Sequence, residues 1–375
     1  MNTATFIGTM SGTSVDGLDI IVADFDKNGN PNLVHSYFAA YPSRLRRRIC
    51  HLQTLSANNL FNQQYDELSD LDQTLANFYS KHIQLCLTKT NIDSSDIQAI
   101  GNHGQTILHQ PNSEPAFSLQ ICDPQKLANQ CHIPVIANFR QADIQQQGQG
   151  APLIPAFHAH VFNANKPCAI VNIGGISNAT FLSEKEITGF DHGPGNTLMD
   201  AWIFQNKQRT YDKDGSWARS GTVNEDLLKQ LLGHPFFQLK APKSTGQDMF
   251  NLEWLKGKLI DFPELSASDI QATLCDLTAK CIAQDILNNK HRIYKLYVCG
   301  GGAQNHFLME RLALYLGNEI SVSSTAKVGI DPDWVEALGF AWLAFRHTNK
   351  QTGNLPTVTG AKKAVILGQR YDPKP

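Results

Sequence analysis

A chain of 375 residues, 42% hydrophobic and 18% charged, holds enough apolar material for two ordinary domains and too much for one simple core. Its formal net charge of −2 gives no electrostatic reason to expect nucleic acid or a membrane surface as partner, and no stretch approaches the roughly 20 apolar residues that cross a bilayer. The opening MNTATFIGTM has no basic segment leading into an apolar core, so no signal peptide is expected. The eight cysteines are scattered without a C-x-x-C pair, which points to reduced thiols and the cytoplasm.

From the N-terminus, FIGTMSGTSVDGLDIIVADF is an apolar run, a turn rich in Gly, Ser and Thr, and a second apolar run, the pattern of a β-hairpin with a tight polar tip. Residues Val34 to Ala40 continue the strand pattern. Arg44, Arg46, Arg47 and Arg48 read as the solvated face of a helix opening near Pro42. From Asn58 to about Thr90 the period is helical, with Leu68, Leu71, Leu75 and Phe78 on one core-facing stripe. IQAIGNHGQT reads as a strand ending in a polar loop, PVIANFR as another strand, and QQQGQGAP as a loop before a helix from about Ile154 to Phe162. Asn165 and Pro167 make a plausible domain junction.

Beginning at Cys168, CAIVNIGGISNATFL repeats the hairpin plan, so the chain reads as two related α/β halves. A helix follows HGPGN. SASDIQATLCDLTAKCIAQDIL is an amphipathic helix with Ser268 as its expected N-cap. IYKLYVCGGGAQN is a buried strand, a glycine turn and the start of a helix through Leu308, Leu312 and Leu316, and PDWVEALGFAWLAFR is a further helix. The tail, NLPTVTGAKKAVILG, is expected to return to the first half.

Three glycine-rich turns carry the chemistry. The first runs from Gly8 to Asp19. Its glycines let backbone N–H groups face phosphate oxygens, and its hydroxyls add donors. Asp16 and Asp19 are candidate Mg²⁺ ligands, since that ion takes one or two carboxylates and retains water. An ordinary hairpin turn is the competing reading. Gly174 and Gly175 in NIGGISN are placed to grip the same phosphates, and Gly300, Gly301 and Gly302 to lie against a planar ring or a phosphate. No G-x-x-x-x-G-K-[ST] occurs, nor a G-x-G-x-x-G after a strand, which excludes a P-loop and argues against a dinucleotide enzyme.

In that order across two halves, the turns resemble the sugar kinase, actin and heat-shock chaperone ATPases. GTMSGTSVDGLD, GNHGQT, GQGAPLIPAFH, NIGGISN, DHGPGNTLMDAW, KSTG, CGGGAQN and NLPTVTGA together resemble the anhydro-N-acetylmuramic acid kinases, over essentially the whole chain from about Phe6 to Gly368. Three positions depart from the family pattern: His192 where Thr is usual, Asn138 for Asp, and Gln147 for Gly. The resemblance implies an α/β, two-domain actin-like fold built on a duplicated ribonuclease H-like plan. The expected division is residues 1–165 with the tail from about 353 to 375, and residues 166–352, with the active site in the cleft between them.

The implied activity is an ATP-dependent kinase of cell-wall recycling and amino-sugar catabolism. It would open the anhydro ring of 1,6-anhydro-N-acetylmuramic acid and phosphorylate O6, with ATP and Mg²⁺ as cofactors; a homodimer is admitted. Asp191, before HGPGN, is the expected general base, with a helix N-cap as its bland alternative. Gly12, Thr13, Ser14, Val15, Asp16, Gly17, Leu18 and Asp19 form the phosphate segment, joined by Gly174, Gly175 and Gly300 to Gly302. His103, Arg140 and Asp143 are expected to line the sugar pocket, where Arg suits the lactyl carboxylate of a muramic acid. Glu336 is an acid on an apolar helix, costly unless partnered, and fits either the sugar or the domain interface. Lys243 is expected near the nucleotide. A conventional hexose or amino-sugar kinase, and an actin-like or chaperone-like ATPase, remain the alternatives.

Overall fold

The computed structural model describes residues 3–241, 243–246 and 249–374. The chain divides into two compact units, Met1–Val161 with Glu336–Pro375, and Phe162–Val335. The first unit contains β1 (Ala4–Ser11), β2 (Gly17–Phe25), β3 (Pro31–Ala40), β4 (Ile97–Gln110), β5 (Phe117–Ile121) and β6 (Val135–Ala137). The second contains β7 (Cys168–Ile173), β8 (Ile176–Leu182), β9 (Ile187–Pro194), β10 (Lys295–Cys299) and β11 (Ser321–Ser324). A last strand, β12 (Gln369–Tyr371), brings the tail back to the first unit, antiparallel to β6.

The two sheets share one topology. In the first, the order is β3-β2-β1-β4-β6, extended by β12 and with β5 on β4; in the second it is β9-β8-β7-β10-β11. In each, the first three strands in sequence are antiparallel neighbours, and the two beyond the first, β4 and β6 in one sheet and β10 and β11 in the other, run parallel to it, while β5 is antiparallel to β4. This is the duplicated ribonuclease H-like plan of the actin-like fold. Central strands read as continuous apolar runs because both faces are covered: Leu18, Ile20, Ile21 and Val22 of β2, and Cys168, Ala169, Ile170 and Val171 of β7, are fully buried.

Helix boundaries adjust the sequence reading at two places. The stripe from Asn58 is interrupted, giving helices Ala57–Asn62 and Tyr65–Thr90. The break arises because the N–H groups of Gln63 and Gln64 both turn to the Asn59 carbonyl, and the ladder restarts from Gln64 O to Leu68 N. Leu68, Leu71 and Leu75 are core, with Tyr79 and Ile83 extending the stripe, while Phe78 packs at its margin. The helix Ala267–Leu287 is capped by Ser266, whose side chain accepts from Asp269 N, and not by Ser268.

GNHGQT does not end its strand. The ladder of β4 continues to Gln110, because the polar side chains find partners inside the sheet: Asn102 Oδ1 accepts from Thr9 Oγ1 at 2.9 Å, and Gln105 Nε2 donates to Gly12 O at 3.1 Å. Gly8 and Gly101 are register partners on β1 and β4. A Cβ on Gly8 would collide with the Ala337 carbonyl, and one on Gly101 with the Phe340 carbonyl. The two glycines therefore form a floor on which the backbone of helix Val335–Thr348 lies directly. For this reason residues 336–352, assigned to the second half from sequence, pack with the first unit.

Gly101→Ala should lower the denaturation midpoint, since overpacking a filled contact costs about 1–3 kcal/mol. An unchanged thermal or urea transition would show that the helix can ride up on the strand.

Candidate active site

The tip of the β1–β2 hairpin is anchored from beneath by hydroxyls. Ser11 Oγ donates to Gly17 O at 3.0 Å and bonds Tyr41 OH at 2.6 Å and Tyr79 OH at 2.7 Å. Burial pushes the Tyr79 phenol well above its ordinary pKa, so the cluster is neutral. Within the tip, every carbonyl at alternate positions is claimed: Gly12 O by Val15 N and Gln105 Nε2, Ser14 O by Arg46 Nη2, and Asp16 O by Tyr41 N. The N–H groups of Thr13, Ser14 and Asp16 have no acceptor among the described residues. Val15 makes this possible by adopting φ 53°, a left-handed conformation, with its side chain buried. Asp16 is exposed and accepts from Ser14 Oγ at 2.9 Å, while Asp19 sits on β2, paired in register with Met10 and Phe38.

His103 and Arg140 are in direct contact. His103 Nδ1 faces Gly104 O at 2.8 Å, so Nδ1 carries the proton and donates, and Nε2 accepts from Arg140 Nη2 at 2.8 Å. Burial and then the neighbouring guanidinium hold the imidazole well below its usual pKa. Arg140 Nη1 donates to Gly150 O at 2.8 Å, and burial pulls its guanidinium down to about 10, while Glu336 acts in the opposite sense. Its Nε is buried and has no partner among the described residues. His103 also lines a pocket of about 290 Å³ with Asn102, Gly104, Asp72, Gln120 and Asn138.

Asp143 is not a pocket residue. It is wholly buried, and both oxygens are taken: Oδ2 by Gly150 N at 2.8 Å, and Oδ1 by Asn354 Nδ2 at 2.6 Å and Thr359 Oγ1 at 2.7 Å. It ties the loop that Arg140 leans on to the returning tail, and reaches the site only through that loop.

In the second unit, Asp191 lies on β9 opposite Asn178. Its N–H donates to Lys243 O at 3.0 Å, and its Oδ2 accepts from Ser244 Oγ at 2.9 Å and Thr245 N at 3.0 Å. Burial raises the carboxyl pKa, and those two bonds offset the shift only in part. The bonds are those of a strap, not of a helix N-cap; the helix Thr197–Lys207 begins later, after Asn196. Just beyond Asp191, Gly195 N and Thr197 N donate to Gly175 O, and Asn196 N to Gly174 O. Thr278 Oγ1, from helix Ala267–Leu287, holds Gly195 O at 2.8 Å. The N–H groups of Gly174 and Gly175 have no acceptor among the described residues.

The late glycine turn divides its labour. A Cβ on Gly300 would strike Asn172 Oδ1, and one on Gly302 the Ile173 side chain, so both let the turn close on β7. Gly301 is exposed with space above it. Sequence reasoning missed Tyr41 and Tyr79, which sit in ordinary apolar patterns, and Asp285, which pairs with Lys243 and His192. An acid on the buried stripe of a long helix was the available signal for Asp285.

The family model for anhydro-N-acetylmuramic acid kinase matches residues 4–373. Curated relatives of that name include one from Shewanella pealeana, 47% identical over 374 residues with 99% of each chain covered. Another, from Shewanella halifaxensis, is 47% identical over 371 residues with 98% of each covered. Among solved structures, the activator of the 2-hydroxyisocaproyl-CoA dehydratase from Clostridium difficile, with bound ADPNP, aligns at TM-score 0.47 and 13% identity, over 92% of this chain and 96% of that one.

Asp143→Ala should destabilise the protein by several kcal/mol, because buried donors left without an acceptor cost about 1–3 kcal/mol each. Thermal denaturation reads this directly. A midpoint close to that of the parent would mean that the loop and tail are held by other contacts.

Proposed function

The chain belongs to the anhydro-N-acetylmuramic acid kinase family, and on that premise we propose that it opens the anhydro ring of 1,6-anhydro-N-acetylmuramic acid with water and transfers the γ-phosphoryl group of ATP to O6. The products are N-acetylmuramic acid 6-phosphate and ADP. The observation that carries this reading is the Asp191 carboxylate, pinned through Oδ2 by Ser244 and Thr245 and raised in pKa by burial. A carboxylate so placed is a stronger base than a solvated one, and the same environment fixes its direction.

An anhydro sugar bridged from C1 to O6 offers no free 6-hydroxyl. Asp191 takes a proton from water, and the hydroxide adds to C1. The C1–O6 bond breaks with its electron pair on O6, which attacks the γ-phosphorus, and ADP leaves. Phosphoryl transfer traps the departing oxygen, so no separate strong acid is required. The unclaimed N–H groups of Thr13, Ser14, Asp16, Gly174 and Gly175 suit phosphate oxygens, and the open face of Gly301 suits the nucleotide. Arg140 and His103 are assigned to the sugar, Arg140 to its lactyl carboxylate, with Glu336 beside it and Asp143 supporting the loop.

Asp16 and Asp19 fit Mg²⁺ by the chemistry of their donors: two carboxylates at a hairpin beside a phosphate segment are what an ion that keeps its waters and shares phosphate oxygens needs. Groups of three His, Cys, Asp or Glu that would cage a metal alone do not occur among the described residues. When bound, Mg²⁺ neutralises charge on the transferring phosphoryl group.

Asp191→Asn keeps shape and removes the basic oxygen, so kcat should fall ~10²–10⁴-fold with ATP binding kept. Because the protonated carboxyl cannot accept, kcat/KM of the parent should fall as pH drops through a pKa above the ordinary 3.8 of an aspartate. A near-normal rate in the variant would remove Asp191 from the chemistry.

Run in ¹⁸O-labelled water and quenched early against an unreacted-sugar control, the reaction should place label on the anomeric hydroxyl and leave the ester oxygen at C6 unlabelled. Label in inorganic phosphate, or none at C1 at early times, would overturn the ring-opening scheme.

A further inference from the structure

Behind the carboxylate of Asp191 lies a closed circuit of polar groups, built on the buried Lys243 and His192, that the reaction itself does not use. Asp191 and His192 are consecutive on β9, at a register shift where Asn178 pairs with Asp191 and Ser177 with Gly193, so that His192 is the extra residue of a bulge. His192 is fully buried, and its Nδ1 lies 2.8 Å from Asp285 Oδ2, on helix Ala267–Leu287. His192 Nε2 is buried with no partner among the described residues, which is consistent with a ring that carries its proton on Nδ1 and donates it to Asp285. Asp285 also meets Lys243 Nζ at 3.1 Å. The Lys243 side chain is only 3% exposed and lies over the Phe236 ring at 5.1 Å. An ammonium so buried is costly unless a carboxylate pairs with it, and Asp285 is that carboxylate.

Lys243 then closes the circuit. Its carbonyl accepts the Asp191 N–H, and the next two residues supply both donors to Asp191 Oδ2. Among the described residues, every hydrogen bond to the Asp191 carboxylate therefore comes from a strap anchored by the buried Lys243 and its partly buried partner Asp285. The strap runs over a loop without regular secondary structure, so it has no ladder of its own to hold it.

We propose that Asp285 is a positioning residue for the ring-opening reaction: by holding Lys243 and His192 it fixes the strap from Lys243 to Thr245, and through it the direction of the Asp191 carboxylate. The inference rests on the reading of Asp191 as the base. It requires no new chemistry, only that the base be held in register with the water it deprotonates.

Asp285→Asn keeps the volume and removes the charge. A base misplaced by about 1 Å can cost ~10²-fold, so kcat should fall about 10- to 100-fold with KM for ATP and for the sugar unchanged. Lys243→Met removes the other half of the pair and should give the same split, and circular dichroism of each variant separates misfolding from misplacement. The decisive comparison is in the Asp191→Asn background. There Asp285→Asn should leave the residual rate unaltered, because it acts only through the carboxylate already removed. An equal loss in both backgrounds, or no loss of kcat in folded Asp285→Asn and Lys243→Met, overturns the proposal. If Asp191→Asn alone keeps a near-normal rate, the reading of the base fails first and the positioning role goes with it.

Discussion

In both hairpin tips a set of backbone carbonyls, alternate ones in the first tip, is claimed from within the unit while neighbouring N–H groups are left over, and the rest of the candidate chemistry depends on this asymmetry. Gly12, Ser14 and Asp16 give up their oxygens to Gln105, Arg46 and Tyr41, and Gly174 and Gly175 give theirs to the turn from Gly195 to Thr197. A carbonyl facing an anion would repel it, whereas an N–H attracts it at no cost of reorganisation. Turning the oxygens inward is thus what leaves an ordinary hairpin tip presenting donors, the character that the proposed phosphate contacts require. The same bonds also fix where β9 ends, and so where Asp191 stands relative to its own turn.

Glycine serves two separate purposes in this arrangement. Gly301 keeps a face open, but Gly8, Gly101, Gly300 and Gly302 permit close packing of one backbone on another. The floor of Gly8 and Gly101 seats the helix Val335–Thr348, which brings Glu336 into the electrostatic neighbourhood of Arg140. Rigid placement of the sugar candidates therefore begins at Gly8, four positions before Gly12, in a strand whose sequence looks merely apolar. Asp143 extends the same scaffold by binding the loop at Gly150 to the tail through Asn354 and Thr359.

The alternation of apolar runs and glycine turns was enough to find both hairpins and the strands Val135–Ala137 and Lys295–Cys299, because buried parallel strands carry an unmistakable composition. What the sequence concealed was satisfaction. GNHGQT looks like a loop because its side chains are polar, yet Asn102 and Gln105 are bonded inside the sheet and the strand runs on. Asp143 looks like a ligand because it is an acid beside Arg140, yet partners more than 200 residues away consume it. His192 and Asp285 are 93 positions apart, and no local pattern connects them. Motifs reveal which residues are chemically able; only the fold reveals which of them are already spoken for.

Val15 shows how the tip keeps its shape. A β-branched residue at φ 53° is a true outlier, and such a conformation costs of order 1–3 kcal/mol. Its side chain is nevertheless 1% exposed, and full burial of a valine returns about 1.5–3 kcal/mol. The two terms are of the same size, so the strain persists because the side chain anchors it in the core beside Leu18 and Tyr41. Glycine at this position would reach the same backbone angles without strain but would lose the anchor. The tip would then hold its N–H groups outward only as one conformation among several. A strained residue with a buried side chain holds the turn in one conformation where a relaxed one would leave it to sample several.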